Sequence, residues 1–411
     1  MVMLWQPSLP ERYTKATPEE LARDITARRR ELGSRLLILG HHYQTDEVIR
    51  HADLTGDSLK LSQQAAHEVA QRGAQYVVFC GVHFMAETAD MLTPEGVSVI
   101  LPDLSAGCSM ADMADYDEAV EAWASIHAAL GKGWAGRVVP VTYVNSSAAI
   151  KAFVGERGGA VCTSSNAGAV VRWALGGGDT PAGPGQEVKV LFLPDQHLGR
   201  NTAASLGIDV AQRAALYDPR KARGGEALGG MSAAQLRSAR VVLWAGHCSV
   251  HKLFRPEHVE QVRAAEAGLP PAQRTTVIVH PECVKEVVDR ADVSGSTEFI
   301  IRAIEGAPAG SAWAVGTEVH LVSRLSRAAA QRGVRVRILS DCQCLCTTMY
   351  RIDQPHLLWV LDNLAAGKVV NRVRVLPEAA SQAMSALERM LRLAPSAPVA
   401  VKGAAAAALV D

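Results

Sequence analysis

The chain has 411 residues, enough for two to four domains with cores of their own. Its 42 Lys and Arg balance 42 Asp and Glu, which argues against general binding to nucleic acid or to an anionic membrane. No apolar run is long enough to span a bilayer, no basic-then-apolar leader opens the chain, and eight cysteines are too sparse for a disulfide scaffold. The expectation is a cytoplasmic protein with reduced thiols, in which any clustered cysteines serve a metal or catalysis.

Thr17-Pro18-Glu19-Glu20 is a capping box with proline at the first helical position. It predicts a helix to about Leu32, stopped at Gly33. A strand over Leu36–Leu39 follows and ends in Gly40-His41-His42-Tyr43. Then come a helix from about Ser58 to Arg72, a strand Tyr76–Phe79, a helix Phe84–Met91 and a strand Val97–Leu101 before Gly107-Cys108. The second round has strands at Val138–Val144, near Cys162, at Val188–Leu193 and at Val241–Trp244, with a helix over Gly168–Leu175. The Gly- and charge-rich stretch Asp218–Gly230 reads as an exposed loop. The third round runs from Thr276–Val279 through Ala312–Val315 to Val334–Leu339, and meets Asp341-Cys342-Gln343-Cys344-Leu345-Cys346. Capped or proline-led helices follow to about Ala366 and over Pro377–Leu393. The Ala-rich tail 394–411 reads as flexible.

Strands alternating with helical periods mean α/β layering with mostly parallel sheets. Three rounds of one pattern predict three similar domains, 34–115, 116–255 and 256–350, with helices of 1–33 and 351–393 packed on them. Each round opens with a strand ending in a polar or aromatic group, and closes on a strand and a cysteine: Cys108, Cys248 and Cys346. Ligands of open α/β sheets bind outside the carboxyl ends of the strands, so three such ends would meet at one central site.

Three thiols from three domains suit one metal centre, with an open iron acting as Lewis acid if the protein supplies only three ligands to a four-iron cluster. Zinc is the first rival, and Cys108 and Cys248 also read as small buried residues. Three hydroxyl turns, Gly56-Asp57-Ser58, Thr163-Ser164-Ser165 and Gly295-Ser296-Thr297, read either as plain N-caps or as anion sites for a polyanionic substrate. His41, His42, His251 and His280, with Tyr43, Tyr143 and Glu282, lie at or just past strand ends, where they suit acid–base work. Asp195 reads as a base or as a loop cap.

Taken together, the strings resemble the quinolinate synthase family of NAD biosynthesis. The likeness runs in one order over about residues 36 to 350. It takes in His41-His42-Tyr43-Gln44, Gly56-Asp57-Ser58-Leu59, Phe79-Cys80-Gly81-Val82-His83-Phe84-Met85-Ala86-Glu87, Tyr143-Val144-Asn145-Ser146 and Cys162-Thr163-Ser164-Ser165-Asn166-Ala167. It continues through Pro194-Asp195-Gln196-His197-Leu198-Gly199, Cys248-Ser249-Val250-His251, His280-Pro281-Glu282-Cys283, Gly295-Ser296-Thr297 and Cys346-Thr347-Thr348-Met349.

The resemblance implies three αβα domains about a pseudo-threefold axis. It implies one [4Fe-4S] cluster on Cys108, Cys248 and Cys346, and condensation of iminoaspartate with dihydroxyacetone phosphate to quinolinate, with loss of phosphate and two waters. It places substrate and acid–base contacts on His41, Tyr43, Ser58, Tyr143, Asn145, Ser164, His251, His280, Glu282, Ser296, Thr297 and Met349, with Glu282, His41, Tyr43 and His280 moving protons. It further implies a functional link to an L-aspartate oxidase or dehydrogenase as the source of iminoaspartate. Rival functions are another iron–sulfur hydro-lyase and a non-catalytic metal-responsive binding protein.

Two departures stand out: extra residues around Gly155–Gly159 and a long Asp218–Gly230 segment, both expected to alter the surface only. The spacing Cys344-x-Cys346 replaces the Cys-x-x-Cys of some relatives and puts a redox switch there in doubt.

Overall fold

Three sets of short apolar strands, each interleaved with helices, form three five-stranded sheets. The structure is a computed structural model and describes residues 5–341, 344–393 and 400–401. The chain divides into two units: residues up to Cys108 with Leu345–Ala380, and Ser109–Cys344 with residues from Ser381 onward. The first unit holds one sheet and the second holds two.

The sheet of the first unit runs Arg372–Val373, Ser98–Ile100, Tyr76–Cys80, Leu36–His41, Leu54–Gly56, with only the Arg372–Val373 edge antiparallel. One sheet of the second unit runs Ala160–Cys162, Arg137–Tyr143, Val188–Leu193, Val241–Trp244, Ala214–Tyr217 and is wholly parallel. The other runs Arg335–Ile338, Ala312–Gly316, Thr276–Val279, Val293–Ser294, Ala400–Val401, with the last strand antiparallel. One core order is common to all three. The first strand of each round is flanked by the short second strand on one side and the third on the other. Beyond the third lies the fourth strand in two of the sheets, and in the sheet of Arg137–Tyr143 the fifth, Val241–Trp244, with the fourth, Ala214–Tyr217, outside it. In such a sheet the chain reverses direction across the first strand, and a crevice opens at that strand's carboxyl end. Those ends are His41, Tyr143 and Val279, the last followed by His280.

The helices begin where their caps predict. Thr17 closes a full capping box on Pro18–Leu32, and Asp57 and Asp353 cap Ser58–Arg72 and Gln354–Ala365. The strands Leu54–Gly56 and Val293–Ser294 escape sequence analysis because two or three residues show no period.

Two expectations need correction. Asp218–Gly230 is not a bare loop, because Asp218 caps a short helix, Pro219–Arg223. The Gly155–Gly159 stretch is not merely a surface change. Gly155 and Gly159 are buried, a Cβ on Gly155 would lie 1.9 Å from the Gln382 carbonyl, and Arg389 Nη1 donates to the Gly159 carbonyl at 2.8 Å. The stretch is the seat of the helix Pro377–Arg392.

Ala400–Val401 pairs with Val293–Ser294. The rest of the tail expected to be flexible, and Cys342, lie outside the described residues. Among the described residues no helix is long and apolar enough to cross a membrane.

Candidate active site

In the second unit the strand Thr276–Val279 runs into His280-Pro281-Glu282-Cys283. The Cys283 N–H donates to the His280 carbonyl at 3.0 Å, and the Glu282 N–H donates to His280 Nδ1 at 3.3 Å. A ring nitrogen that accepts carries no proton, so the neutral ring bears its proton on Nε2. His251 stacks on His280 with ring centroids 4.4 Å apart. His251 Nδ1 lies 2.8 Å from Glu282 Oε2, and its Nε2 lies 3.2 Å from Thr317 Oγ1. Tyr143, at the end of its own strand, gives Glu282 a further hydrogen bond. His251, His280 and Glu282 are 1%, 2% and 3% exposed, so these polar contacts act in a medium far less screening than water.

Burial holds His280 down at about 3, with His251 adding to the effect and Glu282 opposing it; the ring is neutral near pH 7. Burial also opposes the Glu282 carboxylate. The neighbouring imidazoles and the hydrogen bonds from His251 and Tyr143 outweigh it and hold the group at about 2. With His280 neutral, that direction rests on His251 and on the two hydrogen bonds.

Asp195 is the counterpart. Burial, and then the charge of Glu282, push its carboxyl well above the ordinary range. Two close buried carboxyls cannot both ionise cheaply, so the charge sits on Glu282 and the proton on Asp195. Asp195 Oδ1 also caps the helix Gln196–Ser205, accepting from the His197 and Leu198 N–H groups at 2.7 and 2.9 Å. Of its two expected roles, the structure displays the cap.

The first unit builds the same turn at His41-His42-Tyr43-Gln44. The Gln44 N–H donates to the His41 carbonyl at 3.0 Å, and the Tyr43 N–H to His41 Nδ1 at 3.1 Å. The Tyr43 ring meets His41 edge-on with centroids 4.8 Å apart. The buried Gln44 amide donates to the Met349 carbonyl at 3.1 Å, which fixes Met349 beside this turn. Cys346 lies three residues earlier, with its Sγ 3.6 Å from Thr348 Oγ1.

The hydroxyl turns differ among themselves. Asp57, not a hydroxyl, caps the helix that the buried Ser58 begins, accepting from the Lys60 N–H at 2.9 Å. Asn166 folds back to accept the Thr163 N–H at 2.8 Å, beside a half-buried Ser164. Ser296 caps its own helix through the Phe299 N–H at 3.3 Å, with Thr297 buried next to it. Asn145 Oδ1 is buried and has no hydrogen-bond partner among the described residues. Such an acceptor is costly unless a ligand or water meets it.

The cysteines fall into two groups. Cys80, Cys162, Cys283 and Cys344 are buried, whereas Cys108, Cys248 and Cys346 are half-buried. Burial pushes the Cys80 thiol up to about 12, and those of Cys162 and Cys283 upward as well, so these three stay protonated and are poor ligands. The half-buried three are the expected ligands, and partly accessible thiols are of the donor type that holds a metal–sulfur group. Cys248, His251 and Glu282 also bring ligand atoms within 4.8 Å of one another, close enough to share one ion.

Within the second unit, then, Tyr143, His251, His280 and Glu282 touch. Within the first, His41 touches Tyr43, and Gln44 ties in Met349. Sequence reasoning missed Gln44 and Thr317 as participants. Thr317 has a faint signal, a hydroxyl just past the strand Ala312–Gly316; Gln44 has only its place in the His41 turn.

Comparison with known proteins bears on what this arrangement serves. Residues 23–392 match the family described as quinolinate synthetase A protein. The quinolinate synthase of a Nocardioides species is 51% identical over 379 residues, covering 92% of this chain and 90% of that protein. That of Acidobacterium capsulatum is 50% identical, over 93% of this chain and 95% of that protein. That of Corynebacterium glutamicum is 49% identical, over 96% and 93%. A family match over most of the chain and relatives at about half identity show the family: the chain belongs to the quinolinate synthetase A proteins.

Proposed function

We propose that the protein condenses iminoaspartate with dihydroxyacetone phosphate to quinolinate, releasing phosphate and two waters. The observation that carries this is the buried Tyr143–Glu282–His251–His280 network in a chain of this family. It offers an ionised carboxylate as proton acceptor beside a neutral imidazole that can donate a hydrogen bond from Nε2. The three sheets are taken as three domains, 34–115, 116–255 and 256–350.

Cys108, Cys248 and Cys346 would hold one [4Fe-4S] cluster, which when bound supplies a Lewis acid for loss of a hydroxyl. The chain's own groups do the rest. Ser58, Ser164, Ser296 and Thr297, at or near helix N-termini, bind the carboxylates and the phosphate. The Asn145 amide and the Met349 segment orient the substrates. Glu282 takes a proton from carbon during the enol–keto steps. His280 Nε2 and the Tyr143 hydroxyl hold or return protons to oxygen. His41 and Tyr43 serve the same transfers from the other turn. Burial of the network excludes water from the imine. The protein works in the cytoplasm, fed by an L-aspartate oxidase or dehydrogenase.

The test is anaerobic. The purified protein should show four-iron absorbance with matching iron and sulfide, and should convert the two substrates to quinolinate. Cys108→Ala, Cys248→Ala and Cys346→Ala should each abolish both signals, while Cys80→Ala and Cys162→Ala retain the absorbance. Full cluster loading in any of the first three removes that residue as a ligand. A second reading has one observation behind it, the closeness of Cys248, His251 and Glu282, which suits a single zinc ion. A colourless protein carrying one zinc per chain and no sulfide would favour it.

A further inference from the structure

The helix Gln196–Ser205 carries no residue assigned to the site, yet it grips the loop that holds Glu282. Asn201, 2% exposed, donates from Nδ2 to the carbonyls of Pro281 and Cys283, each at 2.8 Å. These are the carbonyls on either side of Glu282. The turn's own hydrogen bonds, Cys283 N–H to the His280 carbonyl and Glu282 N–H to His280 Nδ1, fix it from within. Asn201 fixes it from outside. Two carbonyl oxygens directed at one point repel each other unless a donor with two N–H groups lies between them, and a primary amide is such a donor. Asp195 anchors the start of the same helix by capping it, so the amide is presented from a fixed frame.

We propose that Asn201 is a positioning residue: it clamps the peptide units flanking Glu282 and thereby aims the Glu282 carboxylate at His251 and Tyr143. The inference rests on Glu282 being the acid–base group of the proposed reaction. Asn201 itself touches no substrate. It restricts the backbone from which Glu282 projects, and a small displacement of a reacting group lowers the rate far more than it weakens binding.

The test compares wild type, Asn201→Leu, Glu282→Gln and the double variant as cluster-loaded full chains. Asn201→Leu keeps the volume and removes both donors. It should lower kcat for quinolinate formation about 10- to 100-fold, shift KM within about threefold, and leave iron and sulfide content unchanged. Added to Glu282→Gln it should cost nothing further, because it acts through that residue. NMR of nitrogen-labelled histidine supplies a readout independent of turnover. The His251 Nδ1 proton resonance should move in Asn201→Leu toward its position in Glu282→Gln. If wild type makes no quinolinate but the resonance moves, the proposed reaction falls and the clamp stands.

An unmoved resonance, wild-type kcat in Asn201→Leu, or additive losses in the double variant would each overturn the clamp. Should Asn201→Leu fail to fold, Asn201→Ser, which retains one donor, is read in the same way. Loss of fold or cluster in both variants would also overturn it, by making Asn201 a residue of the fold rather than of the site.

Discussion

His41-His42-Tyr43-Gln44 and His280-Pro281-Glu282-Cys283 are one backbone device used twice. Each follows a strand flanked by the second and third strands of its round. In each, the histidine carbonyl accepts the N–H three residues on, and its Nδ1 accepts the N–H two residues on, at 3.1 Å in one and 3.3 Å in the other. The turn therefore presents an imidazole with its proton on Nε2 and, two residues later, a side chain beside it. The difference lies in what that side chain is and what surrounds it. Tyr43 meets its histidine as an aromatic edge. Glu282 enters a buried network with His251, Tyr143 and the protonated Asp195. A common turn fixes tautomer and direction, and the neighbours decide which group carries charge.

The sharpest way to break this comparison is to remove the charge and leave the shape. Glu282→Gln should retain the cluster and cut quinolinate formation by about 100- to 10,000-fold, the range for losing a general base. Tyr43→Phe removes one hydroxyl and leaves the edge-on contact, so its loss should be smaller, about tenfold. A larger loss in Tyr43→Phe, measured as kcat under anaerobic saturation, would put the chief acid–base group in the other turn.

Replacing the histidines tests the shared part. Asparagine at 41 or 280 can still accept the backbone N–H two residues on, so the turn persists and only the ring is lost. Each variant should remain folded and lose about 100-fold in kcat. The pH dependence of stability tests the His280 ring further. His280 titrates at about 3 in the fold against 6.5 ordinarily. Between those values the unfolded chain binds a proton that the native one does not, so stability is full above pH 6.5 and declines as pH falls toward 3. Glu282, held at about 2 against 4.5, contributes stability above pH 4.5 that is lost only below that value. Denaturant unfolding from pH 6.5 to 4.5 should therefore show a shallower decline in His280→Asn than in wild type. Some slope persists, because His51 and His197 are also pushed down to about 4, chiefly by burial.

Much of this is legible in the sequence alone. The helix starts at Thr17, Ser58 and Asp353 follow from capping chemistry, which acts over three or four residues and is written locally. The strand ends at or beside His41, Tyr143 and Val279 follow from apolar runs stopped by polar residues. The short strands Leu54–Gly56 and Val293–Ser294 are illegible because the sheet, not the segment, makes them. Gly155 and Gly159 read as an insertion and prove to be a seat for a helix more than 200 residues later. In the site, the residue types can be chosen by their address. Their protonation cannot, because it depends on which groups are brought together. Asp195 and Glu282 are both acidic residues past strands, and only their mutual proximity in a buried setting assigns the proton to one of them.

The smallest effect should come from Thr317, whose hydroxyl lies 3.2 Å from His251 Nε2. With Nδ1 directed at Glu282, the second nitrogen needs a partner of its own if the ring is not to rotate about its χ2 axis. Thr317→Val keeps the branched shape and removes that partner, leaving one buried imidazole nitrogen poorly satisfied. The expected cost is about 1 kcal/mol in unfolding free energy. The rate loss should be only a few-fold, because Glu282 still holds the ring from the other side, a difference measurable as a small kcat change at unchanged cluster content. The His41 turn is the control: Thr317→Val should leave the rate loss caused by Tyr43→Phe unchanged in a double variant. Coupling between Thr317 and Tyr43 as large as either single effect would mean the two turns do not set their side chains independently.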